Sequence, residues 1–145
     1  MNVKDATVLL GKCAAFDNRK PTQATVLAWS EALDDMPVQD ALNFVTQHYA
    51  ASRDWIMPSD LNREWHQLRR LRQDAVPQAQ RPQPPQDLDG PTYLVWRRAV
   101  SRAISHGQPA EQVTAAAYEA IGRTPELEAP TNHYEINTHQ IGKHS

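Results

Sequence analysis

The chain has one cysteine, five glycines in 145 residues, and no long apolar run. A lone Cys13 excludes an internal disulfide and any zinc site built from several thiolates, and it fits a reducing bacterial cytoplasm. None of the glycines stands in a G-x-x-x-x-G-K arrangement, so the sequence predicts no nucleotide-driven motor of its own. The apolar stretches are far short of the roughly 20 residues that cross a bilayer, and no membrane partner is expected. Lys4 and Asp5 interrupt the only apolar stretch near Met1, which predicts no secretory leader. Basic and acidic residues number 15 and 17, a net charge of −2, which argues against a strongly basic, sequence-independent nucleic-acid binder. Serines 30, 52, 59, 101, 105 and 145 have no recognisable nucleophile context. His133, His139 and His144 are spaced unlike any compact metal site. The expectation is a protein without enzymatic activity, cofactor or metal.

Proline, by contrast, is abundant at 11 residues, and its placement divides the chain. Four prolines (77, 82, 84, 85) and five glutamines fall within residues 73–89, where Val76 and Leu88 are almost the only sizeable apolar side chains. Such a segment has little to bury, so it predicts a flexible Pro/Gln-rich linker, reaching roughly 50 Å if fully extended. Before it, residues 1–72 show apolar residues only at helical spacing. Val3, Ala6, Leu9, Leu10, Cys13 and Phe16 form the face of a first helix capped by Asn2. Asp17-Asn18-Arg19 breaks it, and Thr22 caps a second helix with Val26, Trp29 and Leu33 on one side. Pro37 suits the first position of a third helix, lined by Val38, Ala41, Leu42, Val45 and Tyr49. Pro58 opens a fourth, with Leu61, Trp65, Leu68 and Leu71. The fold class is all-α, with a compact four-helix domain over 1–72.

Residues 90–122 read as a helical hairpin. Gly90-Pro91-Thr92 starts it, Tyr93, Trp96, Val100 and Ile104 follow at helical spacing, and His106-Gly107 ends the first helix. Pro109 opens the second, with Val113, Ala116, Ala117, Ala120 and Ile121 as a small-residue face. So short a hairpin cannot build a stable core alone. It must pack on the first domain, self-associate, or bind a partner. Tyr93, Trp96 and Val100, rimmed by Arg97, Arg98 and Arg102, are therefore the expected partner-binding residues. Residues 123–145 mix Pro125 and Pro130 with polar residues and are expected to be a mostly disordered tail.

The phrases AFDNRKPTQATVLAWSEALDDMPVQDALNFVTQHYA and WIMPSDLNREW carry a resemblance over about residues 3–72. Trp29 with Leu33, the acidic break after them, the stripe ending at Tyr49, and Ile56-Met57-Pro58-Ser59-Asp60-Leu61 resemble the N-terminal domain of phage replicative-helicase loader/inhibitor proteins. The resemblance implies a helical domain that contacts other replication proteins, among them an initiator, and a C-terminal part that engages the replicative helicase. This chain departs from the family pattern in that its C-terminal part keeps helical periodicity.

Two other readings come from the residues. Arg63, Arg69, Arg70 and Arg72 on the fourth helix could touch DNA phosphates, giving a small DNA-binding or regulatory protein with weak, salt-sensitive affinity. Gln39-x-x-Leu42-x-Phe44 matches the loose form of a sliding-clamp ligand, which would make the chain an inhibitor of that clamp.

Overall fold

Each helix starts where a neighbouring group can serve its first, otherwise unpaired amides. The structure is a computed structural model and describes residues 1–125; the tail expected from 123 onward lies outside the described residues from 126. Helix α1 (Val3–Asp17) is capped by Asn2, whose side chain accepts from the Asp5 amide at 2.7 Å. Helix α2 (Gln23–Ala32) begins with a reciprocal capping box, Thr22 with Thr25. Helix α4 (Pro58–Asp74) takes Pro58 into its first turn, where the missing N–H costs nothing, and Asp60 accepts from the Met57 amide at 2.9 Å. Helix α5 (Gly90–Ser105) is capped by Asp89, which accepts from Thr92 N at 2.8 Å. Helices α3 (Val38–Ala51) and α6 (Ala110–Ala120) have Pro37 and Pro109 just outside them, in extended backbone, rather than as their first residues. Replacing Thr22 by alanine strips the α2 cap and should lower stability by about 1 kcal/mol in urea unfolding.

The described residues form six α-helices and one 3-10 turn, with no strand, so the protein is all-α. None of these helices is long and apolar enough to cross a membrane.

Two apolar clusters share no residue. The first joins Leu9, Leu10 and Cys13 of α1 to Trp29, Leu33, Ala41, Phe44 and Val45, and to Leu61 and Trp65 of α4. The second joins Trp96, Val100, Ala103 and Ile104 of α5 to Val113 and Ala117 of α6. Trp96 stands edge-on to Tyr118 with centroids 4.9 Å apart. Burial pushes the Cys13 thiol up to about 11, outweighing the lowering effect of Arg19, so it remains a protonated core group.

Several side chains differ from the sequence expectation. Phe44, outside the expected stripe, is buried, because α3 packs against both α1 and α4 and covers a wide arc. Leu71, expected inside, is 67% exposed. Val3 and Phe16 sit at the edge of the α1 face and stay half exposed.

The segment expected as a flexible Pro/Gln-rich linker, 73–89, makes specific contacts. Helix α4 continues to Asp74, and Gln78–Gln80 form a 3-10 turn. Arg81 folds back, donating from Nε to the Val76 carbonyl (3.0 Å) and from Nη2 to the Gln73 carbonyl (3.1 Å). Val76 and Leu88 pack against the second cluster. Two anchors and one arginine therefore fold a segment whose composition suggested none.

Candidate protein-interaction surface

The break between α1 and α2 builds a corner around Arg19. Asn18 takes a left-handed conformation (φ 58°), which turns the chain so that Arg19 points back inward. The Arg19 guanidinium is buried and bonds Asp17 from Nε (2.9 Å) and Nη2 (2.6 Å), with a further bond from Nη2 to the Ile56 carbonyl at 2.9 Å. Trp29 and Trp55 lie against it, with ring centroids 5.3 and 4.8 Å from its carbon. Tyr49 donates its hydroxyl to Asp17 and accepts from the Ile56 amide at 3.1 Å. Both backbone groups of Ile56 are thus held by side chains from other parts of the chain. Burial alone would raise the Asp17 carboxyl, but the hydrogen bonds from Arg19 and Tyr49 outweigh it and hold it at about 2.

This corner fixes what faces solvent. Backbone extended through Met57 alternates its side chains, so Ile56 enters the core while Trp55 and Met57 point out, 55% and 48% exposed. Phe16, 50% exposed, stacks on Tyr49 with centroids 5.0 Å apart. The sequence suggested none of these residues as a surface. Its only hint was Trp55 beside Ile56 in a short connector.

A second constellation joins the two clusters, and it is polar. Arg72 of α4 grips Asp40 of α3 with two bonds (2.8 and 2.9 Å) and reaches the Ser105 carbonyl of α5 at 2.9 Å. Gln73 bonds the Ser101 carbonyl (2.7 Å) and the Ser105 hydroxyl (2.8 Å). Arg102 pairs with Asp35 at 2.8 Å. His106 stands edge-on to Trp65, with Nε2 3.2 Å from Asp35 Oδ1 in a geometry that forms no hydrogen bond. Gly107, at φ +72°, belongs to this seam. A Cβ there would come within 3.0 Å of the Arg72 guanidinium carbon and would sit on backbone that disfavours side chains.

The residues expected to bind partners part company here. Trp96 and Val100 are buried in the second cluster and are corrected to core. Arg102 is engaged with Asp35. Tyr93, Arg97 and Arg98 are exposed in the first turns of α5, with Arg97 5.9 Å from the Tyr93 ring, and Leu94 and Val95 are exposed beside them. A shallow cleft lined by Pro84, Pro85, Leu88, Asp89 and Tyr93 adjoins this face.

The fourth-helix arginines also separate. Arg72 is committed to the seam, Arg63 lies 3.4 Å from Asp60, and Arg69 lies over Trp65, while Arg70 is exposed without a partner among the described residues. In the clamp-like phrase, Gln39, Leu42 and Phe44 all lie in α3, Leu42 packs on the first cluster and Phe44 is inside it. A motif that must be extended and exposed is therefore helical and folded away, which corrects that reading. Comparison of the chain with protein-family models, curated proteins and solved structures finds no match.

Proposed function

We propose that this protein is a non-enzymatic DNA-replication adaptor that binds a replicative helicase and loads or restrains it through protein–protein contacts. The reading rests on the resemblance of residues 3–72 to phage helicase loader/inhibitor proteins. One structural observation supports it: α5 and α6 close their own small core around Trp96, yet leave Tyr93, Leu94 and Val95 40–48% exposed beside Arg97 and Arg98. Tyrosine and arginine are enriched among interface anchors, and a contiguous exposed apolar patch beside them marks an interaction site. In this reading α5 meets the helicase, while the α1–α4 unit meets a second replication protein such as an initiator. Holding both contacts on one chain makes the second binding step effectively intramolecular.

The test is complex formation between the full chain and purified hexameric replicative helicase of the host bacterium, followed by size-exclusion chromatography with light scattering. A complex at micromolar concentration is expected. The double change Tyr93→Ala and Leu94→Ala should weaken it at least about tenfold while leaving the helical circular-dichroism signal intact. Absence of a complex with the unaltered chain overturns the proposal.

The DNA-binding alternative draws little support from the fourth helix, because Arg72 is committed to the seam and Arg63 faces Asp60.

A further inference from the structure

The Arg19 corner carries a surface that the α5 contact does not use. Phe16, Trp55 and Met57 are each about half exposed although they come from two separate stretches of chain. Their placement is enforced: Phe16 is backed by Tyr49, Trp55 by the Arg19 guanidinium, and Met57 by the alternation that buries Ile56. Half-exposed aromatics normally keep rotamer freedom, which binding must remove. Here one ring face is already stacked, so little freedom is left to lose on that side. Such pre-ordered, partly exposed aromatics are what interface anchors require.

The charges around them set the partner's chemistry. Lys20 follows Arg19, and Arg53 lies two residues before Trp55; both are exposed and have no ion-pair partner among the described residues. Asp17, the nearest acid to Phe16, is neutralised by Arg19. Asp54 is the one exposed acid in the 52–57 connector, and Asp60, which accepts from the Met57 amide, is paired with the exposed Arg63. The local excess is cationic, although the whole chain carries a net charge of −2.

We infer that Phe16, Trp55 and Met57 form a docking surface for an acidic amphipathic segment of a partner protein, aliphatic residues seating on the rings and carboxylates facing Lys20 and Arg53. This deepens the adaptor reading, since it supplies the α1–α4 unit with a contact of its own, and its test is independent of the helicase. Trp29, Trp65 and Trp96 are buried at 5%, 2% and 2%, so Trp55 dominates the response of the protein to an aqueous quencher.

Full-length protein is titrated with a synthetic amphipathic Leu/Glu peptide, with its Leu/Lys counterpart, and with oligo(dT), while acrylamide quenching of tryptophan emission is followed. The Leu/Glu peptide should shield Trp55 and shift its emission to the blue, and the Leu/Lys peptide should not. Phe16→Ala should weaken the Leu/Glu peptide about tenfold. Exchanging both cations, Lys20→Glu with Arg53→Glu, should do the same, and these exposed positions carry no fold risk comparable to Arg19. No shielding by the Leu/Glu peptide, or equal shielding by the Leu/Lys peptide, overturns the inference. Stronger shielding by oligo(dT) assigns the surface to single-stranded nucleic acid instead. Shielding that grows with protein concentration alone assigns it to a second copy of the chain. If the Leu/Glu peptide binds as expected and the helicase does not, this surface stands and the helicase assignment falls.

Discussion

Replacing Arg19 by alanine is expected to lower the unfolding free energy by about 3–5 kcal/mol, a large share of the roughly 5–15 kcal/mol of a typical domain. The cost comes from what is left behind. Asp17, its side chain 3% exposed, would lose the cation that compensates it. The Ile56 carbonyl would lose its donor, and the two tryptophans would face a gap where the guanidinium lay. Arg19→Lys should recover only part of the loss, because an ammonium reproduces neither the two-atom grip on the carboxylate nor the planar group's contact with both tryptophans. Urea denaturation at neutral pH measures both changes. A loss below about 1 kcal/mol for the alanine variant would place the pair among inconsequential surface contacts.

The same corner fixes a response to acid. Asp17 titrates at about 2 in the folded protein against an ordinary value of 3.8, so the unfolded chain takes up the proton first as the pH falls. Its contribution is fully present above about pH 4 and is lost as the pH falls through 2. Asp17→Asn should flatten the stability profile over that window. In Arg19→Ala the slope should shrink, because burial is then opposed only by the hydrogen bonds from the Tyr49 hydroxyl and the residue-19 amide.

The second large effect is expected at Arg72. Arg72→Ala removes three bonds at once and leaves Asp40 nearly buried without its partner. A loss of about 2–3 kcal/mol is expected, somewhat less than at Arg19 because the guanidinium is a quarter exposed. The distribution of the loss matters more than its size. Amide exchange should accelerate across α5 and α6 and much less across α1–α3, since the joint is what fails first. Uniform acceleration over all six helices would show that the two clusters unfold as one unit.

The helices were legible because nothing in the chain competes with the 3.6-residue period. Asn2, Thr22 and Pro58 mark their starts by local chemistry alone. What the period could not show is how wide a buried arc each helix has. Phe44 is covered because α3 packs on both α1 and α4, and Leu71 is open because it lies off the sides of α4 that meet α3 and α5. The linker misled for a related reason: its composition suggested extension, but Val76 and Leu88, its few apolar side chains, suffice to seat it on the second cluster. The Arg19 corner was invisible. In sequence, Asp17-Asn18-Arg19 is a helix stop, and its partners Tyr49 and Ile56 lie 30 and 37 positions away.

That the two apolar cores share no side chain bears on how such a protein can change over generations. Substitutions at separated sites add, whereas neighbours in one core constrain each other. The packing of Trp96, Val113 and Ala117 can therefore be rewritten without re-solving that of Trp29, Val45 and Leu61. Among the described residues, the polar side chains of the seam, the Trp65–His106 contact and Gly107 tie the two histories together. A lineage pressed to follow a drifting target could then remodel the buried side chains of α5 and α6, provided Asp40, Arg72, Gln73, Ser105 and Gly107 kept their places along the seam.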